Sequence, residues 1–248
     1  TGNSVTIDAP TGTAGSFTYT LLNVQDASSS TCSTTSGGTV VITVNPLPTA
    51  TISGTAAVCL NTATPPTVTF TGDGGTSNYT FTHNINGGAP QTIISSGNTA
   101  TIIAPVTIAG VFNYNLISVK DASSTTCSNL QAGTAVVTIN ALPIITLNGS
   151  ATICQGVTND VFSTDAGKNN YSWLITGGTV VGGSISSNTV TIDWANTPGA
   201  KSISVNYNDP VTGCAAGVPA TVAATTSAVK PTFSTPIVSE VCVGATGV

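Results

Sequence analysis

Residues equipped for covalent, metal or acid–base chemistry are scarce in this chain: six cysteines, one histidine and nine carboxylates among 248 residues. The cysteines fall into two classes by context. Cys59, Cys154 and Cys242 close three matched stretches, TATISGTAAVC (49–59), IITLNGSATIC (144–154) and TFSTPIVSEVC (232–242). Cys32, Cys127 and Cys214 each follow a short Asp-containing loop and precede a β-branched run. There is no C-x-x-C pair, and His83 is remote in sequence from every cysteine, so a zinc site of familiar spacing is not indicated. Six cysteines at recurring positions point instead to disulfides and an oxidising compartment.

The remaining polar candidates read as structural. His83, in TFTHNINGG, lacks a nucleophile and an orienting acid at any recognisable spacing and is expected to face solvent from a strand. Asp73, in TGDGGTSN, is one acid among glycines, which suits a turn better than calcium. Asp26 and Asp121, both in DAS, and Asp209 before Pro210 are expected to cap turns through their side-chain oxygens. Trp173, in YSW, is expected to pack between two sheets, with carbohydrate stacking as the functional alternative. Trp194, in VTIDWAN, falls near a strand end, where partial exposure is more readily expected than for Trp173. NYT (78–80), NGS (148–150) and NYS (170–172) match a glycan-acceptor pattern, which is weak evidence by itself. No catalytic residue, cofactor-binding residue or metal ligand is assigned, and no cofactor is expected.

The elements that position these groups come from a repeat. Residues 2–48 align without a gap on residues 97–143, and 26 of the 47 positions are identical. VQDASSSTCS (24–33) thus meets VKDASSTTCS (119–128), 95 residues on. A repeat of this length settles architecture before local signals do. Asn45-Pro46-Leu47-Pro48 and Asn140-Ala141-Leu142-Pro143 end the two copies, and proline stiffens such joints and blocks strand continuation. The expected division is residues 1–48 as the back half of one module, 49–143 as a complete module, 144–231 as a complete but diverged module, and 232–248 as the start of another, with Pro46, Pro48, Pro143 and Pro231 in the linkers.

Within residues 49–143, alternating apolar positions predict strands over 50–58 with a kink at Gly54, then 66–72, 78–85, 90–96, 99–104, 110–119 and 133–140. GDGG (72–75), NGG (86–88) and SSGN (95–98) supply turns. Seven short strands in such a span predict an all-β fold of tandem immunoglobulin-like, Greek-key β-sandwiches in a linear array. Composition agrees: 5% of residues are charged against 40% hydrophobic, and β-branched residues with Gly and Asn favour strands and turns over helices. The apolar alternation argues against disorder. A net charge of −5 with no arginine and no basic cluster excludes a nucleic-acid partner. No apolar run is long enough for a membrane-spanning helix, so direct membrane insertion is not expected. No signal peptide is visible, though the chain reads as starting inside a module.

Strand polarity bears on the cysteines. In a head-to-tail array, the first strand of a module runs from its leading end to its trailing end, and so does the last. Cys59 and Cys154, after first strands, then belong at trailing ends, and Cys127 and Cys214, before last strands, at leading ends. A strand of six or seven residues spans about 20 Å, whereas a disulfide needs Cα atoms within about 7 Å. This favours an inter-module bridge, Cys59–Cys214, and sends Cys32, Cys127, Cys154 and Cys242 to regions outside the chain. The within-module alternative, Cys59–Cys127 with Cys154–Cys214, stays open if Gly54 and Gly149 turn the chain back and shorten the first strand.

YSWLITGGTVVGG with VTIDWANTPGAKSISVNYNDPVTGC (171–214) resembles the PKD-like domains of secreted Bacteroidota proteins. NPLPTATISGTAAVC and AGSFTYTLLNVQDASSSTCS resemble the Ig-like repeats of their giant cell-surface adhesins, including those of gliding motility. The resemblance spans essentially the whole chain and marks a repeat type, not a ligand. It implies an extracellular, bacterial cell-surface protein, exported by the type IX system. The expected function is then a non-enzymatic, structural stalk segment of a long adhesin or filament that projects an adhesive tip, with neighbouring repeats of the same chain as partners and a surface ligand at the tip. The alternatives are a ligand- or carbohydrate-binding repeat array, and accessory domains of a secreted enzyme.

Overall fold

The computed structural model describes residues 4–224. Pro231, Cys242 and the whole 232–248 segment lie outside the described residues. The chain divides into two compact units, Thr1–Asn140 and Ala141–Val248. Every described regular element is a strand, and no helix is long and apolar enough to cross a membrane.

The first unit opens with a hairpin, β1 (Gly15–Gln25) antiparallel to β2 (Ser33–Val44), which forms a two-stranded sheet of its own. There follow β3 (Thr49–Ser53), β4 (Ala56–Cys59), β5 (Thr67–Asp73), β6 (Thr80–Ile85), β7 (Gln91–Ile94), β8 (Thr99–Ile103), β9 (Gly110–Lys120) and β10 (Ser128–Asn140). These build two facing sheets, β3-β5-β8 and β4-β10-β9-β6-β7. All seven strands expected between residues 49 and 143 are present, and the expected kink splits the first into β3 and β4. Gly54 makes that split, with φ 112° and a Cα packed so closely on the neighbouring strand that a Cβ would run into the Thr67 carbonyl oxygen. The chain thereby leaves one sheet, antiparallel to β5, and joins the other, parallel to β10.

Period-two alternation fills the space between the sheets. Val68 and Phe70 on β5, Phe81 on β6, Tyr114, Leu116 and Val119 on β9, and Ala135, Val137 and Ile139 on β10 form one buried cluster. The step from Leu116 to Val119 breaks the alternation where β9 carries an extra residue against β6, between Leu116 and Ser118; the β9–β10 register shifts at the same place, between Leu130 and Gly133. The hairpin carries the same shift between Leu21 and Asn23, at positions 95 residues earlier.

His83 corrects the sequence expectation. It is 2% exposed on the inner face of β6, its ring 5.1 Å from that of Phe70. The strand begins its inward series at Tyr79 and Phe81, and period two carries it to residue 83 whatever that residue's polarity.

The second unit contains β11 (Leu147–Asn148), β12 (Asp160–Thr164), β13 (Asn169–Thr176), β14 (Gly178–Gly183), β15 (Thr189–Trp194), β16 (Lys201–Asn208) and β17 (Ala220–Ala224). Its sheets are β11-β12-β15-β14 and β13-β16-β17. Here β14 pairs with β15, whereas the corresponding β7 of the first unit pairs with β6 in the opposite sheet. The sandwich is of the same kind with one edge strand exchanged. Trp173 packs in the core as expected, while Trp194 is buried rather than partly exposed. Its indole Nε1 donates to Asp160 Oδ2 at 2.9 Å, so the polar edge is satisfied inside.

Candidate functional site at the cysteine-bearing module ends

No described group of three or more His, Cys, Asp or Glu residues could hold a metal ion. The chemistry available is that of the cysteines and the loops that hold them.

Each of the three loops ahead of a last strand is closed by the same backbone bond. Asp26 N–H donates to the Cys32 carbonyl at 3.0 Å, Asp121 N–H to that of Cys127 at 3.0 Å, and Asp209 N–H to that of Cys214 at 2.9 Å. The acid then folds the loop around its carboxylate, as its turn-capping role requires. Asp121 accepts from the Ser123 hydroxyl at 2.8 Å and from the Thr76 and Ser123 amides. Burial alone would raise its pKa, but these donors together hold it below the usual carboxylate value. Asp209 accepts from Lys168 at 3.0 Å and from the Val211 and Thr212 amides. The lysine is the largest of the influences that lower its pKa. In the same unit Asp165 accepts from the Thr146 amide and the Tyr207 hydroxyl, which likewise lower its pKa. Burial first, then that carboxylate, push the Tyr207 phenol up. Asp73 ends β5.

The two cysteine classes sit at opposite ends of one strand. Cys59 is paired with Asn140, the last residue of β10, in parallel register. Cys127 immediately precedes Ser128, the first residue of β10. Thirteen residue steps separate Cys127 from Asn140, on the order of 40 Å along an extended strand. Cys59 and Cys214 are each in the oxidised, disulfide state, while Cys32, Cys127 and Cys154 are free thiols. Neither within-module bridge, Cys59–Cys127 or Cys154–Cys214, is therefore formed. The turn at Gly54 shifts the first strand sideways into the other sheet but leaves its direction unchanged, so Cys59 is still carried to the trailing end.

Residues that motif reading passed over hold the first linker. Asn45 Nδ2 donates to Thr125 Oγ1 at 2.8 Å, Asn129 Nδ2 to the Pro48 carbonyl at 3.0 Å, and the Ala50 amide to Gln131 Oε1 at 3.1 Å. Three side-chain bonds thus tie the stretch around Pro46 and Pro48 to the loop and strand that follow Asp121. Asn45 recurs as Asn140 in the repeat and could have been singled out. Asn129 and Gln131 have Thr34 and Ser36 as counterparts, so nothing in the repeat marks them. Pro143 lies in the corresponding stretch after β10.

These features define an all-β array of immunoglobulin-like sandwich modules bearing a disulfide. No family model matches the chain, and no curated protein matches it. Among solved structures it is similar to the fibronectin(III)-like modules of Clostridium thermocellum CbhA, at 14% identity over 72% of this chain and 94% of that one, with a TM-score of 0.28. It is also similar to the FN1–FN3 domains of chicken CNTN1, at 12% identity over 82% and 76%, TM-score 0.28. A third is SGBP-B of the Bacteroides ovatus mixed-linkage glucan utilization locus, in complex with a mixed-linkage heptasaccharide, at 14% over 71% and 43%, TM-score 0.22. These superpositions are too poor to carry function, and the architecture rests on the chain's own strand order.

Proposed function

We propose that this chain is a stalk segment of a long bacterial cell-surface adhesin or filament, in which stacked sandwiches set length and covalent and hydrogen-bonded joints limit bending. The observation that supports it is the separation of cysteine classes to opposite ends of β10, since bridges between modules are what such an arrangement can make. In this reading the modules divide at residues 48, 143 and 231, Cys59 bridges to Cys214 across the second joint, and the remaining cysteines reach modules beyond this segment. The oxidised state of one cysteine of each class accords with that pairing. It accords equally with an oxidising, extracellular setting. A bridge closing so long a loop adds about 4–5 kcal/mol in the chain-entropy model, and its greater effect is on hinge freedom. No residue is assigned a catalytic role. The finer reading, an adhesin of gliding motility exported by the type IX system, rests on the resemblance of the repeats alone.

Two measurements test this. Non-reducing peptide mapping should yield one fragment joining the segments around Cys59 and Cys214, and a link from Cys59 to Cys127 would reject the joint. Electron microscopy of the parent protein should show a beaded fibre, and a compact particle would reject the stalk.

A further inference from the structure

The β1–β2 hairpin duplicates β9–β10 in sequence, register and loop geometry, yet one face of it is bare. Leu21 is 49% exposed and Val40 57%, whereas their counterparts Leu116 and Ala135 are 3% and 0% exposed beneath the β3-β5-β8 sheet. Val24 and Ile42 are likewise exposed where Val119 and Val137 are buried. The face therefore fits a segment of the same type as residues 49–96, which supplies β3 and β5 of that cover in the complete module, the third strand, β8, having its counterpart in residues 4–8 of this chain.

The register then fixes where such a segment would deliver its cysteine. In the complete module, Cys59 lies beside Asn140, and Leu60 N–H donates to the Asn140 carbonyl at 2.8 Å. The repeat counterpart of Asn140 is Asn45. Asn45 in turn donates to Thr125 Oγ1 at 2.8 Å, and that oxygen is 3.2 Å from Cys127 Sγ. Two short contacts thus separate the position beside Asn45 from a free thiol. Cys214, which closes the equivalent loop in the other unit, is disulfide-bonded.

We infer that Cys127 is the acceptor site for a disulfide from the preceding module, whose front half, of the type of residues 49–96, covers the bare hairpin face and sets its cysteine beside Asn45. Two thiols form one S–S bond and lose two electrons and two protons. A small-molecule or protein disulfide takes these up and becomes two thiols. The inference rests on the reading of this chain as a bridged stalk and names the partner of one of its cysteines.

The test is a chain in which a copy of residues 49–96 is joined directly ahead of Gly2, restoring the order found at Ser96–Gly97. It is refolded in a mixture of reduced and oxidised glutathione and mapped without reduction. The grafted cysteine should be joined to Cys127, Cys32 should remain alkylatable, and amides of β1 and β2 should gain protection from hydrogen exchange by at least tenfold. A protected hairpin with Cys127 still free overturns the bridge. An unprotected hairpin overturns the cover, provided that a second graft with its cysteine replaced by serine is also unprotected, which removes misoxidation as the cause. If that second graft is protected, the cover stands and the bridge is overturned. The same digest reports the Cys59–Cys214 fragment: its presence beside a free Cys127 defeats this inference alone, and its absence defeats the stalk reading beneath it.

Discussion

Replacing His83 by leucine should stabilise the first unit and remove its sensitivity to mild acid. Both ring nitrogens are buried without a hydrogen-bond partner, as is the hydroxyl of Tyr114 on the adjacent strand. An unsatisfied buried polar group costs about 1–3 kcal/mol, and leucine fills a similar volume without one. A gain of about 1–2 kcal/mol near neutral pH is the expected size, set by the lower part of that range because the fit is imperfect. The pH dependence follows from linkage. Burial lowers the His83 pKa below its ordinary 6.5, so in mild acid the unfolded chain binds a proton that the folded chain refuses. Stability is therefore fully present above the unfolded pKa and falls as pH drops below it, with a slope approaching about 1.4 kcal/mol per pH unit. The chain has no other histidine, so the change between about pH 6.5 and 5 is assignable, carboxylates titrating lower. Urea titrations followed by circular dichroism measure the slope, and the single imidazole Cε1–H resonance reports protonation directly. A resonance titrating near 6.5 in the folded protein, or the same slope in H83L, would refute the burial argument.

Gly54→Val should cost the first unit at least about 2–3 kcal/mol, from a strained positive φ and a Cβ against the Thr67 carbonyl. The tryptophan signal of the second unit should be unaffected, and a loss under about 1 kcal/mol would show that the strand crossing does not need glycine. Trp194→Phe removes the donor to Asp160, which keeps only the Ser150 hydroxyl at 2.6 Å. The expected loss is about 1.5–3 kcal/mol, read from Trp173 fluorescence in urea. Alkylation without reductant should modify exposed Cys32 fastest and Cys127 and Cys154 more slowly, while Cys59 and Cys214 react only after reduction.

The sequence by itself determined the repeat, the strand set and the direction of each strand, because period-two alternation and proline or glycine punctuation are local signals. Twenty-six identities at one offset are enough to transfer the β9–β10 register to β1–β2. Strand direction alone was enough to separate Cys59 from Cys127, since a strand cannot reverse without a turn. Tertiary structure decided what depends on neighbours. His83 is polar and Trp194 falls near a strand end, which pointed both toward solvent; packing put them inside, one with its nitrogens unpaired and the other on Asp160. The crossing at Gly54, the exchange of β14 to the other sheet and the hold of Asn129 and Gln131 on the first linker are contacts between segments far apart in the chain. No spacing encodes them, because a hydrogen bond across 81 residues depends on where the intervening strands have already placed the backbone.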